Sequence, residues 1–136
     1  MAVFNKFNAF VEAVAEKVHN LGSDQLTLAL TNTLPTSANS VLADITQISY
    51  TNLSTRNLTT TASSQTGGLY KLVVSDITLT STGGSTGPFR YVVVYNSTAA
   101  GGPLIGWYDY GTSLTLNSGE SLAVDFDQTN GLLPLQ

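Results

Sequence analysis

Apolar side chains at Phe4, Phe7, Val11, Val14, Val18 and Leu21 recur at alternating steps of three and four, while Lys6, Glu12, Glu16, Lys17 and Asn20 fall mostly off that row. This spacing sets one apolar seam along one side of an α-helix. It predicts a helix from about Asn5 to Asn20, with Gly22 as its left-handed stop. A β-domain of modest size closes its core without such an appendage. The seam must therefore be buried on the domain's own sheet, on a second copy or on a larger partner. The resulting division is an N-terminal helical arm over residues 1–22 and a β-domain with a short tail over residues 23–136, a single domain overall.

After Asp24 the period changes to two. Leu26, Leu28 and Leu30 alternate with Thr27, Ala29 and Thr31, which predicts a strand with one buried face. A polar turn-rich loop, NTLPTSANS, follows. Leu42, Ile45 and Ile48 do not alternate cleanly and read as an extended piece with a bulge or bend. Residues 51–68 are nearly free of apolar side chains and suit an edge strand with a long loop, the threonines at 59–61 favouring some strand.

Leu69 to Thr80 reads as one long strand bent near Ser75. Beyond the glycine-rich TGGSTG, Phe89, Tyr91, Val93 and Tyr95 take one face and Val92 and Val94 the other, the mark of a central strand covered on both sides. Leu114 and Leu116 facing Leu122, Val124 and Phe126 around Ser118-Gly119 predict a hairpin. The apolar end, with Leu132, Leu133 and Leu135, either adds a strand or reaches a neighbour. About seven or eight short strands between regular turn signals predict a mainly β fold: an antiparallel β-sandwich or jelly-roll-like domain with one N-terminal amphipathic α-helix.

Composition narrows the function. Hydrophobic residues at 42% suffice for a core, but charged residues make up only 10% of the 136, against about 25% in an ordinary soluble domain. Serine, threonine and asparagine supply the missing polarity, which suits strands and turns. The net charge is −4, and the five basic residues, Lys6, Lys17, Arg56, Lys71 and Arg90, stand singly. A nucleic-acid binder groups such residues into a patch, so no nucleic-acid partner is expected. Cysteine is absent, which removes disulfides and thiolate metal sites. Glu12 and Glu16 interrupt any signal-like apolar region, and no stretch reaches membrane-spanning length. Synthesis in a cytoplasm and no membrane partner are the expectations.

Candidate chemistry is sparse. Gly83-Gly84-Ser85-Thr86-Gly87 fits G-x-S-x-G, but a nucleophile elbow needs a strand before it and a helix after it, and here a strand follows. The sole histidine, His19, reads as a capping or surface residue near a helix C-terminus. DFDQTNG hints at a calcium loop, yet its glycine comes one residue late and Gln136 stands where glutamate belongs. Asp125 and Asp127 could form a looser oxygen site; the plainer reading is an outward Asp and an Asx turn. Trp107, Tyr108 and Tyr110 fill a core or an interface, or else form a stacking platform for sugars. An enzyme, a cofactor and a metal are not expected.

Two stretches, HNLGSDQLTLALTNTLPTSANSVLADITQISY and GPFRYVVVYNSTAAGGPLIGWYDYGTSLTLNSGESLAVDF, together with the KFNAFVEAVAEKVHN helix, resemble small structural proteins of tailed bacteriophages. The resemblance covers most of the chain and lies in the ordered set of segments; 51–68 looks variable. It implies a virion component without catalytic residues, a decoration or cement protein on the capsid exterior whose partner is the major capsid protein. The alternative is a tail- or adsorption-associated module recognising host glycans. The seam and the apolar tail then act as arms from a rigid body, and seam valines lean towards a trimer over a dimer if the helices of a homo-oligomer meet. The acidic balance suits the outer surface better than contact with packaged DNA.

Overall fold

A computed structural model describes residues 3–135. Strand β6 (Thr86–Asn96) runs through the middle of the largest sheet, between β2 (Leu26–Thr31) and β7 (Leu104–Leu116). A two-residue strand, β1 (Asn5–Lys6), lies on the far edge of β7, so the order is β1-β7-β6-β2 with every neighbour antiparallel. A second antiparallel sheet holds β3 (Thr60–Thr66), β4 (Leu69–Val74) and β9 (Leu133–Leu135), and a third pairs β5 (Ile77–Thr80) with β8 (Ser121–Val124). One α-helix, α1 (Asn8–Ala15), and a 3₁₀ turn at Leu42–Asp44 complete the regular structure. The protein is mainly β, with antiparallel sheets and one short helix.

The two faces of the large sheet are covered by different elements. Leu26, Leu28, Leu30, Val92, Val94 and Ile105 join Leu72 and Val74 of β4, Leu79 of β5 and Val124 of β8 in the main core. On the opposite face, Ala29, Val93, Tyr95 and Leu104 are sealed by Phe7 and Ile45. Strand β6 is therefore covered on both sides, as its sequence predicts. Phe89 is the exception: irregular pairing between Phe89↔Leu114 and Tyr91↔Asp109 turns it into the main core with Val92 and Val94 rather than beside Val93.

Strand β2 departs from its expected single buried face, because all six of its residues are buried. Its outer edge is covered by the 47–58 segment, where the Leu58 and Ile48 N–H groups donate to the Leu26 and Leu30 carbonyls, and Leu28 N–H donates to the Arg56 carbonyl. The buried Thr27 hydroxyl is satisfied by Asn57 and Ser97, at 3.1 and 2.9 Å. The Arg56 guanidinium lies 3.6 Å from the centroid of the Tyr50 ring and donates to the Leu28 carbonyl, closing the edge with a cation–π contact.

Two strand assignments change. The stretch from Leu69 to Thr80 is two strands in different sheets, broken where Asp76 turns out to accept from Phe126 N–H at 2.8 Å. The predicted hairpin around Ser118-Gly119 does not form a ladder: β8 pairs with β5, with Val124 opposite Ile77. Leu116 and Val124 still share the main core. Alternation reports which side of a strand faces the core, and that was met; it does not report the hydrogen-bonding partner.

The front of the chain differs most from its expected form. The helix covers Asn8–Ala15 rather than 5–20, because residues 5 and 6 are extended along β7 and Phe7 is the N-cap. Its stop is Lys17, at φ 65°, and not Gly22. Val18 N–H donates to the Ala13 carbonyl at 2.9 Å and Lys17 N–H to that of Val14 at 3.4 Å, the bond pattern of a Schellman motif. At the other end, the apolar tail adds strand β9 to β4, with Leu132 N–H donating to the Leu72 carbonyl. Gly131 permits this approach, since a Cβ there would stand 2.7 Å from the Leu72 oxygen.

Candidate functional site

Adjacent residues of a strand point to opposite faces, so Trp107 and Tyr108 look out of opposite sides of β7. The front segment supplies one aromatic to each. Phe4 lies on Tyr108 with ring centroids 5.4 Å apart, and Phe7 lies on Trp107 at 4.6 Å. Residues 4 and 7 fall on opposite faces because the intervening residues are extended. Helical spacing would have put them on one stripe. Phe10, which lies off the apolar row, is buried in the main core and packs against the His19 ring with centroids 5.2 Å apart.

The candidate interface residues thus divide. Phe7, Leu21, Tyr108, Leu132 and Leu133 are buried in the chain's own core, and Phe4, Val14, Trp107, Tyr110 and Leu135 are half-buried against it. Val11 and Val18 face outward, 55% and 42% exposed. Among the described residues, Val3 and Leu34 are the other large apolar side chains left exposed, at 77% and 61%. Leu34 carried a readable signal, a lone large apolar residue in a polar loop. That loop is tied to the helix start by the Asn8 N–H donating to the Ser37 carbonyl at 2.9 Å. The three aromatics form no common platform: Tyr108 and Tyr110 pack towards the main core, and Trp107 packs on the other face beneath Phe7.

The residues considered for chemistry stand apart. Ser85 is exposed in the turn before β6, while His19 bonds Asn96 at the strand's other end. Across the 11 residues of β6, that separation is on the order of 30 Å. Asp127 is occupied by its own turn, accepting from the Thr129 and Asn130 N–H groups at 2.8 Å each and from the Asn130 amide at 2.9 Å. These bonds hold its carboxyl below the usual 3.8. Asp125 points outward at the strand end. No cluster of three or more potential metal ligands occurs among the described residues, and none of the described helices is long and apolar enough to cross a membrane.

Asp109 finds a partner that the sequence did not reveal. Arg90 donates to both of its carboxylate oxygens, at 2.8 and 3.1 Å, across the irregular stretch of the β6–β7 ladder. The Arg90 bond and the Gly111 N–H hold the Asp109 carboxyl below 3.8. With both side chains more than a third exposed, the pair fixes geometry more than it stabilises.

The most developed polar cluster is at the tip of β6. Asn96 is fully buried; its amide nitrogen donates to Asp24 at 2.7 Å and contacts His19 Nδ1 at 3.0 Å, and its carbonyl oxygen accepts from Thr98 and Ala99 N–H. His19 is half-buried rather than a surface cap. Burial holds its imidazole below the ordinary 6.5, against the opposing pull of Asp24. A cleft of about 650 Å³ opens beside the cluster, between the 17–24 loop and Tyr70. Asn96 and His19 are 77 positions apart, so no local motif could have announced the cluster. In comparisons with protein-family models, curated proteins and solved structures, nothing matches this chain.

Proposed function

We propose that the protein is a structural component of a bacteriophage virion, a decoration or cement protein that binds across the seams of major capsid proteins on the head exterior. The observation that carries this reading is the distribution of exposed apolar surface. Val3, Val11 and Val18 stand outward on a front segment that Phe7, Phe10 and Leu21 anchor in the body. Such residues, held on a rigid support, suit docking onto a partner more than catalysis. We read the body as a sandwich-like or jelly-roll-like arrangement of the large sheet against the two smaller ones. The front segment docks as part of that body and not as a detachable arm. The surface, poor in ions and net acidic, suits an external position away from DNA.

The test is the double variant Val11→Asp, Val18→Asp in a head-binding assay with purified capsids. Both side chains are exposed, so the variant keeps its stability within about 0.5 kcal/mol. It should lose binding to heads that the parent decorates in hundreds of copies. Unchanged binding, or no copies in purified particles, would remove this reading.

A further inference from the structure

The tautomer of neutral His19 is set by the hydrogen bonds that orient its partner, Asn96. The Asn96 carbonyl oxygen accepts from two backbone N–H groups, Thr98 at 2.9 Å and Ala99 at 3.1 Å. A backbone N–H can only donate, so the side-chain amide cannot be turned over. Its nitrogen is thereby aimed at Asp24 Oδ2 and His19 Nδ1. Nδ1 must then accept, which leaves the single proton of the neutral ring on Nε2. That atom is buried without a hydrogen-bond partner. The ring is held by one accepted bond and by its contact with Phe10.

A second proton has nowhere to go without movement. On Nδ1 it would meet the Asn96 amide donor, and Asn96 cannot flip without setting its nitrogen against the Thr98 and Ala99 N–H groups. Asp24 is the carboxylate beside the ring, and its Oδ2 is already shared by Asn20 N–H at 2.8 Å and by Asn96. Phe10 of α1 offers no acceptor, while Lys17 and Tyr70 line the adjoining cleft. A charged His19 therefore gains most by turning to Asp24, which lies on its own loop, and abandoning Asn96.

We propose that His19, Asn96 and Asp24 form a proton-operated latch: the neutral ring holds the 17–24 loop on the tip of β6, and acidification releases the loop and widens the cleft beside Tyr70 while the sheets stay folded. Loss of the Asn96–His19 and Asn96–Asp24 bonds lets the loop lift on either side of Leu21, whose side chain stays in the main core. The core residues Val92, Val93 and Val94 of the same strand are buried elsewhere and are not touched by the change. The latch is a property of the fold and does not depend on the docking role above.

The protein has a single histidine, so its ring signals are unambiguous by NMR. In the full chain, the ring at neutral pH should be the Nε2–H tautomer and should titrate with a midpoint below 6.5. Amide exchange at residues 18–24, corrected for its intrinsic pH dependence, should rise about tenfold per pH unit between the released and docked midpoints. Val92–Val94 should remain protected throughout. His19→Gln, whose amide oxygen can accept from Asn96 but takes no proton, should abolish the rise. An Nδ1–H tautomer, exchange at 18–24 that ignores the histidine titration, or the same rise in His19→Gln would each overturn the latch.

Discussion

Phe7 and Trp107 stack with their centroids 4.6 Å apart on one face of the large sheet, while Phe4 and Tyr108 form the matching pair on the other. The front segment therefore grips the β7 edge from both sides, as β1 pairs with it in between. Phe7 N–H also donates to the Ile105 carbonyl at 3.1 Å. Phe4 and Phe7 are a part of the core and not an attachment to it.

Phe7→Ala should accordingly destabilise the whole domain by about 3–5 kcal/mol, the usual cost of emptying a fully buried phenylalanine site. Urea denaturation followed by Trp107 fluorescence measures this directly. Deleting residues 1–21 removes Phe7, Phe10 and Leu21 together, and should leave a chain without a cooperative unfolding transition. A truncated protein that melts like the parent would show the grip to be dispensable.

Gly106 is where Phe4 and the β1 backbone come closest to β7. A Cβ there would stand 2.2 Å from the Phe4 ring and 2.6 Å from the Asn5 carbonyl oxygen. Gly106→Ala should displace β1 at a cost of about 1–3 kcal/mol, typical of overpacking. Hydrogen exchange locates the effect: Phe7 N–H should lose protection, and the β2–β6 ladder should keep it.

Lys17 occupies the left-handed position that closes the Schellman motif, with φ 65°. A side chain in that conformation costs on the order of 1 kcal/mol, which glycine avoids. Lys17→Gly should raise stability by up to about that amount and shift Tm upwards. Lys17→Val, branched at Cβ, should lower both.

Asp44, Asp109 and Asp127 are each held below 3.8: Asp44 first by the Ser40 N–H, Asp109 by Arg90, and Asp127 by the Asn130 N–H. The unfolded chain thus binds more protons than the folded one as these groups titrate. Their stabilisation is full above the ordinary carboxylate range and is lost as pH falls through their depressed values. His19, also lower in the folded state, adds a loss with the same sign that begins near 6.5. Urea midpoints measured from pH 8 to 3 should decline in two steps, and His19→Gln should remove only the upper one.

Much of the fold was legible along the chain. The two-sided apolar pattern of 91–95 named the central strand, the alternation of 26–30 named its neighbour as a strand, and the threonines at 59–61 marked the start of β3. The candidate site was far less so. Phe4 and Phe7 have helical spacing but lie on opposite faces, since the residues between them, Asn5 and Lys6, are extended. Asp109 looked unpaired until Arg90 came across the ladder, and His19 looked like a surface cap.

The amino-acid order by itself determined that this chain is mainly β, poor in ions, with one helix near its start, though not that helix's bounds. Those properties are local: periodicity records which side of each segment faces away from water. Only the tertiary structure decided that β8 joins β5 instead of β7, that the tail becomes an edge strand, and that Asn96 gathers His19 and Asp24. Partner choice depends on how distant segments together fill one core and satisfy their buried polar groups, and no short stretch of sequence contains that information.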